Sequence, residues 1–342
     1  MENEQKRPDD GATVCETFEV GQTNAKAKKA KRKWTNNKNQ WKAWLYLLPA
    51  LILLLLFTVW PIINTVRMSL LKNYDSMREI GGATFAFGFD NFKNIVSFYR
   101  FKDCMLTTIL LTVITVPVST MLALLIAVAL NSIKFVRKTL QTIFFLPYVT
   151  NTIAIGMVFM AMFNMIGAVS GKEPDSIGII NTIIEAFGGT RVNWINGGSG
   201  YLQNMTVLCI YIVWNALPFK ILVLLGGLQS VNKQYYEAAK VDGTSRFRTF
   251  WRITVPLLSP MIAYVVITGF IGGFKEYSSV VGIFGPDMGP GGNHAVDTMV
   301  GLIYESVQSN QGLASAGALI LFAIIFAVTM INMYVSKKKV HY

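Results

Sequence analysis

Residues 233–243 read KQYYEAAKVDG, and nine residues later Ile253-Thr254-Val255-Pro256 closes the segment before the chain turns apolar again. The stretch is polar and lies between two long apolar runs. It joins an acid, Glu237, to two small residues, Ala238 and Ala239, and then to Gly243. Glycine stops a helix readily because it takes the left-handed backbone that other residues resist. A short helix of this composition, held outside lipid, suits close approach by another protein. Asp242 or Thr244 is placed to cap the next helix, TSRFRTFWRI, in which Arg246, Arg248 and Arg252 mix with Phe247, Phe250 and Trp251. Basic and aromatic residues together suit a membrane interface.

The flanking runs say what this segment is attached to. Of 342 residues, 52% are hydrophobic and only 15% charged, with a mean hydropathy of +0.43. A soluble domain carries about 25% charged residues. Six apolar spans emerge, at 44–66, 105–131, 140–165, 202–229, 257–283 and 312–335. Crossing a hydrocarbon core takes roughly 20 residues. Each span must be helical, because lipid offers backbone N–H and C=O groups nothing to bond. The expectation is an all-α, polytopic membrane protein with six transmembrane helices over 44–336. A basic, largely disordered tail (1–43) precedes them and a basic end (337–342) follows.

A net charge of +12 could suggest a nucleic-acid surface, but its distribution argues otherwise. Ten Lys and Arg fall in residues 1–43, three in 132–139, five in 230–256 and three in 337–342. The alternate segments carry six (67–104), two (166–201) and none (284–311). This bias predicts that both termini and the 230–256 loop lie in the cytoplasm. The opposite segments, including GGATFAFGFDNF at 81–92 and GPDMGPGGNHAVDT at 285–298, read as surface loops with some local structure.

Enzymatic chemistry finds no foothold. Cys15, Cys104 and Cys209 have no regular spacing, and His294 and His341 stand without a ligand or triad pattern, so no catalytic or metal residues are assigned. His294 reads as a solvated loop residue. No glycine loop followed by Lys and Ser/Thr is present, which excludes that route to ATP binding. An ion-coupled secondary transporter would call for central acids, yet Glu276 is the only acid within a span and it is not central.

Charge inside a span is costly and often functional. Lys220 stands ten residues from Ser230, hence roughly 15 Å along the fourth span. Lys275 and Glu276 lie toward the far end of the fifth span. With Trp214, Asn215 and Tyr277 they are candidates to line a polar passage for a hydroxylated solute, since aromatic faces and amides suit sugars. A structural role stays open: Lys275 can reach the interface, and Lys220 can bond carbonyls freed near Pro218. Pro117, Pro147 and Pro218 are candidate kinks.

The run Glu237-Ala238-Ala239, three residues, Gly243, nine residues, Ile253-Thr254-Val255-Pro256 resembles the EAA signature of binding-protein-dependent ABC import permeases. The spacing is complete, and Val255 stands where Leu is usual. LLPALILLLLFTVWPIINTVRMS (47–69), FDNFKNI (89–95), FFLPYV (144–149), LGGLQSV (225–231) and LASAGA (313–318) resemble the maltose-type sugar permeases. The resemblance implies a type I ABC importer permease (MetI-like) fold in the bacterial cytoplasmic membrane. It implies that Glu237, Ala238, Ala239, Asp242, Gly243, Ile253 and Pro256 belong to a coupling segment docked on a cytoplasmic ATPase dimer. It implies a homologous second permease and an extracytoplasmic solute-binding protein. It further implies that the chain needs no cofactor, ATP being bound by the partner ATPase. A sugar, oligosaccharide in type, is the expected solute, with a non-sugar solute as the alternative.

Overall fold

The computed structural model describes residues 40–133, 137–166 and 176–339. The expected basic tail up to residue 39, Lys134, residues 340–342, Cys15 and His341 lie outside the described residues. The chain divides into two compact units, residues 1–56 and 57–342. In the first, α1 (Gln40–Leu54) is apolar all round, and Leu45, Leu47, Ile52 and Leu53 are exposed, as expected of a helix solvated by lipid.

The second unit begins within a π-helical turn (Leu55–Val59) and continues through α2 (Trp60–Ser69), with Pro61 in its first turn. Two short helices, α3 (Ser76–Ile80) and α4 (Asp90–Val96), precede the long α5 (Phe101–Ser132). Then come α6 (Arg137–Val149), α7 (Thr152–Phe163), α8 (Ile179–Ala186) and α9 (Tyr201–Ser230). The 233–256 segment holds α10 (Gln234–Val241), α11 (Arg246–Thr249) and a π-helical turn (Phe250–Thr254) leading into α12 (Val255–Leu257). The chain ends with α13 (Ser259–Phe274), α14 (Ser278–Phe284), α15 (Met299–Ser309) and α16 (Gln311–Lys339). Among the described residues, the departures from an all-α fold are a pair of two-residue strands, β1 (Met165–Ile166) and β2 (Ser176–Ile177), joined antiparallel, and an isolated antiparallel bridge between Leu71 and Phe87.

Among the described residues, four helices are long and apolar enough to cross a membrane: Trp44–Ser69, Phe101–Ser132, Tyr201–Ser230 and Gln311–Lys337. Two further spans form only if bent pairs are joined, which gives up to six. The third span is therefore not a single rod. Gln141–Val149 and Thr152–Phe163 meet at 103°. The break falls at Asn151, whose side chain accepts from the N–H groups of Ile153 and Ala154 and so caps α7. Pro117 and Pro218, by contrast, lie inside unbroken helices. The fifth span also differs from expectation. It begins earlier, at Arg246, bends by 69° near Leu258 and ends at Phe274 rather than 283.

Three apolar clusters hold the second unit together. One packs α9 against α7 and α14 through Leu208, Tyr211, Phe163 and Ile283. A second joins α5, α9 and α13 through Ala127, Leu224, Leu228 and Val265. The third sets α16 against α4, α5 and α15 through Ile95, Ala316, Cys104 and Leu302. Small residues at helix contacts let backbones approach closely, which is how helices associate in lipid. A Cβ on Gly273 of α13 would lie 2.8 Å from Thr112 Cγ2 of α5, and one on Gly317 would lie 3.2 Å from Ile303 Cγ1. The 285–298 stretch is not the surface loop its polarity suggests. Met288, Val296 and Thr298 are buried, the first two within the α7–α9–α14 cluster.

Candidate functional site

At the C-terminal end of α9, the 233–256 segment forms a compact helical knob. α10 ends in a double cap. The Gly243 N–H bonds Lys240 O at 3.1 Å, and the Thr244 N–H bonds Ala239 O at 2.9 Å. Gly243 takes φ +64°, the left-handed value this geometry requires, and open space surrounds the position where a Cβ would stand. Glu237, Ala238 and Asp242 are exposed, whereas Ala239 is buried and presents nothing to the outside. Asp242 is the C-cap of α10 and does not cap the next helix, nor does Thr244; Ser245 does, accepting from the Arg248 N–H at 3.3 Å. Ile253 and Pro256 are half-buried in the following turns, and Tyr236 OH reaches Thr254 Oγ1 at 3.4 Å. That bond ties α10 to the π-helical turn that leads into α12.

A cavity of about 380 Å³ is lined by α5, α6, the start of α7, α9, α13 and the residues just past α13. It brings together Asn215, Lys220 and Glu276. Trp214, Lys275 and Tyr277 are not on its wall. Trp214 packs on Phe159 with ring centroids 5.2 Å apart, Lys275 is exposed where α13 ends, and Tyr277 packs on Tyr304 at 5.0 Å. Lys220, 4% exposed, donates to Ser119 Oγ at 2.6 Å, Thr120 Oγ1 at 3.0 Å and Val116 O at 3.2 Å. Its partners thus come from α5, not from carbonyls beside Pro218. Glu276 Oε1 accepts the Ser279 N–H at 3.1 Å at the start of α14, while Thr298 Oγ1 donates to Glu276 O at 2.9 Å.

Tyr148, Phe219, Thr115 and Thr152 also line the cavity, unforeseen from the sequence. A signal for part of it exists. Thr108, Thr112, Thr115 and Ser119 follow a four-three-four spacing that puts hydroxyls on one face of α5. Each bonds a carbonyl four residues back, so this buried face is polar without leaving its hydroxyls unsatisfied.

At the opposite end of the bundle, the loop residue His294 is half-buried rather than fully solvated. It takes φ +54°, and its Nδ1 lies 3.5 Å from Asp297 Oδ2. Asp297 is buried and also faces Arg100 Nη1 at 3.1 Å; Arg100 in turn pairs with Glu305. His294, Asp297 and Glu305 bring potential metal-ligand atoms within 4.8 Å of one another, but the Arg100 guanidinium already supplies the positive charge there. Burial pushes the Asp297 carboxyl up to about 6 from 3.8, against the opposing pull of Arg100 and His294. The folded state holds this proton more tightly than the unfolded chain. The stability it contributes is therefore present below about pH 3.8 and lost as pH rises through about 6. Thermal unfolding across that window should show this falling component, and Asp297→Asn should remove it. An unchanged slope in the variant would assign the titration elsewhere.

Residues 116–341 match the family described as "Binding-protein-dependent transport system inner membrane component". The chain is 30% identical to the arabinooligosaccharides transport system permease protein AraP of Halalkalibacterium halodurans, over 84% of this chain and 85% of that protein. It is 27% identical to the trehalose/maltose transport system permease protein MalF of Thermococcus litoralis, over 86% of this chain and 93% of that protein. Its fold is similar to a chain of a bacterial ABC transporter involved in import of the acidic polysaccharide alginate, with a TM-score of 0.73, 20% identity, and coverage of 89% and 98% of the two chains. The knob after α9, the multi-span helical bundle and these matches together place the chain among the binding-protein-dependent transport system inner membrane components.

Proposed function

We propose that the chain is the permease subunit of an ABC importer that carries a sugar of oligosaccharide type across the cytoplasmic membrane. In this reading α10, exposed at Glu237 and Ala238 and terminated at Gly243, seats on a cytoplasmic ATPase dimer. Ile253 and Pro256 link it to α13. ATP is bound and hydrolysed by that partner, so this chain is not itself an enzyme and needs no cofactor. A homologous second permease completes the pathway. An extracytoplasmic binding protein delivers solute at the end of the bundle that carries Arg100 and Asp297. Both termini and the 233–256 knob face the cytoplasm, in keeping with the Lys and Arg bias. The sugar rests on the relatives, whose names specify trehalose/maltose and arabinooligosaccharides.

The observation that carries this reading is the knob: a short helix with Glu237 and Ala238 outward, stopped by a glycine in the left-handed region. The test is co-purification of the assembly from membranes and a screen of solutes for stimulated ATP hydrolysis. Stimulation by an oligosaccharide is expected. An assembly that purifies without an ATPase would contradict it.

The 380 Å³ cavity is the reading's solute pathway, with Asn215 offering an amide and Tyr148 an aromatic face stacked on Phe219 at 5.8 Å. A neutral hydrogen bond is worth about 0.5–1.5 kcal/mol net. Asn215→Ala is therefore expected to raise the KM for uptake about two- to tenfold with little change in membrane abundance. An unchanged KM would remove Asn215 from the pathway.

A further inference from the structure

The chain between the knob and α13, Arg246–Leu257, is helical and bends by 69° into Ser259–Phe274. Its twelve residues are about 18 Å long at the usual helical rise. Inclined at 69° to α13, the stretch advances only about 6 Å along the direction of that helix. The headgroup zone on each side of a bilayer is roughly 5–7 Å deep. With α13 crossing the membrane, Arg246–Leu257 therefore stays within that zone instead of projecting away from it.

The side chains suit that depth. Phe250 and Val255 pack on the cluster of α5, α9 and α13, which fixes the roll of the stretch. Phe247 and Trp251 stand outward four residues apart, 75% and 50% exposed, with ring centroids 6.3 Å apart. Arg248 and Arg252, also four residues apart and exposed, run beside them. Among the described residues, no acid pairs with Arg246, Arg248 or Arg252. A guanidinium grips a phosphate with two parallel N–H bonds, and tryptophan favours the membrane–water boundary. Uncompensated arginines beside a bare aromatic ridge thus match an anionic phospholipid, its phosphate on the arginines and its upper acyl carbons on the rings. A soluble partner could reach the arginines only by displacing lipid from Phe247 and Trp251.

We propose that Arg246–Leu257 is an anionic-phospholipid site that holds the base of the knob at the membrane surface, with Arg248 and Arg252 gripping the headgroup. The proposed function enters only in assigning that lipid to the cytoplasmic leaflet.

The test is lipid retention by the purified permease–ATPase assembly, extracted in detergent from proteoliposomes of equal parts phosphatidylglycerol and phosphatidylcholine, with both lipids counted by mass spectrometry. Wild type is expected to retain phosphatidylglycerol at least threefold over phosphatidylcholine. The double variant Arg248→Gln, Arg252→Gln is expected to lower that ratio at least twofold. Both side chains are exposed, so the fold is not at stake. Arg248→Lys, Arg252→Lys keeps the charge and should stay closer to wild type. No preference in wild type, or an unchanged ratio in the glutamine variant, would overturn the proposal. Loss of ATPase subunits from the glutamine variant with the lipid ratio unchanged would overturn it in favour of an ATPase contact. A wild-type permease that purified with no ATPase would sink the coupling reading instead, and the lipid ratio of the permease alone would still decide the lipid site.

Discussion

Gly243→Val is expected to abolish ATP-driven uptake, by at least tenfold, while the protein inserts in the membrane at its normal level. The reason is local. A β-branched residue held in the left-handed region costs on the order of 1–2 kcal/mol, and Gly243 sits there at φ +64° with both capping bonds depending on it. Relief of the strain would swing the end of α10 and displace Glu237 and Ala238, the exposed residues of the knob. No core cluster includes Gly243, so the bundle should keep its stability. Gly243→Asn separates the two contributions. Asparagine tolerates the left-handed region far better, so loss of uptake in this variant would report crowding against a docked surface rather than a lost turn. Glu237→Lys, which leaves the turn untouched, should also block uptake if the acid meets the ATPase. Full uptake by Gly243→Val and Glu237→Lys would remove the coupling role from this segment.

The second large effect concerns Lys220. The double variant Ser119→Ala, Thr120→Val removes two of the three acceptors of a buried ammonium. A hydrogen bond to a charged group is worth about 1.5–3 kcal/mol, so losing two of them should appear as a clear fall in the thermal midpoint of the detergent-purified protein. Lys220→Met should behave differently. Ser119 and Thr120 would keep their own bonds to carbonyls of α5, chiefly Thr115 O and Val116 O. Replacing a buried ion with an apolar side chain of similar length is often near neutral. Lys220→Met is thus expected to stay close to wild type in stability. If it destabilised as much as the double variant, the lysine would be holding the bundle together in some way other than these bonds.

The knob was legible because Glu237, Ala238 and Gly243 each have a chemical reason to stand at their positions. The spans at Trp44–Ser69, Phe101–Ser132, Tyr201–Ser230 and Gln311–Lys337 were legible because long charge-free runs leave helix as the only option in lipid. The 103° break at Asn151 was not. One asparagine in an apolar run looks incidental until its side chain is seen to take the first N–H groups of α7. Three prolines carried the stronger signal, yet α5 and α9 run straight through Pro117 and Pro218 as single helices. Sequence proximity also misplaced the cavity lining. Trp214 and Asn215 are neighbours, but successive helical residues point about 100° apart, and only Asn215 reaches the cavity. The polar loop 285–298 looked solvated because its glycines and Asn293 dominate the composition. Met288 and Val296 nevertheless anchor it in the core, with the Val296 N–H bonded to Met288 O at 3.0 Å.

The coupling claim is tested most directly by reconstituting the full assembly in proteoliposomes and measuring labelled maltotriose uptake with the ATPase subunits present, absent, or present with Gly243→Val in this chain. Uptake that requires both ATP and the ATPase, and that falls at least tenfold in the variant, is the predicted result. Accumulation driven by an ion gradient with no ATPase attached would contradict it.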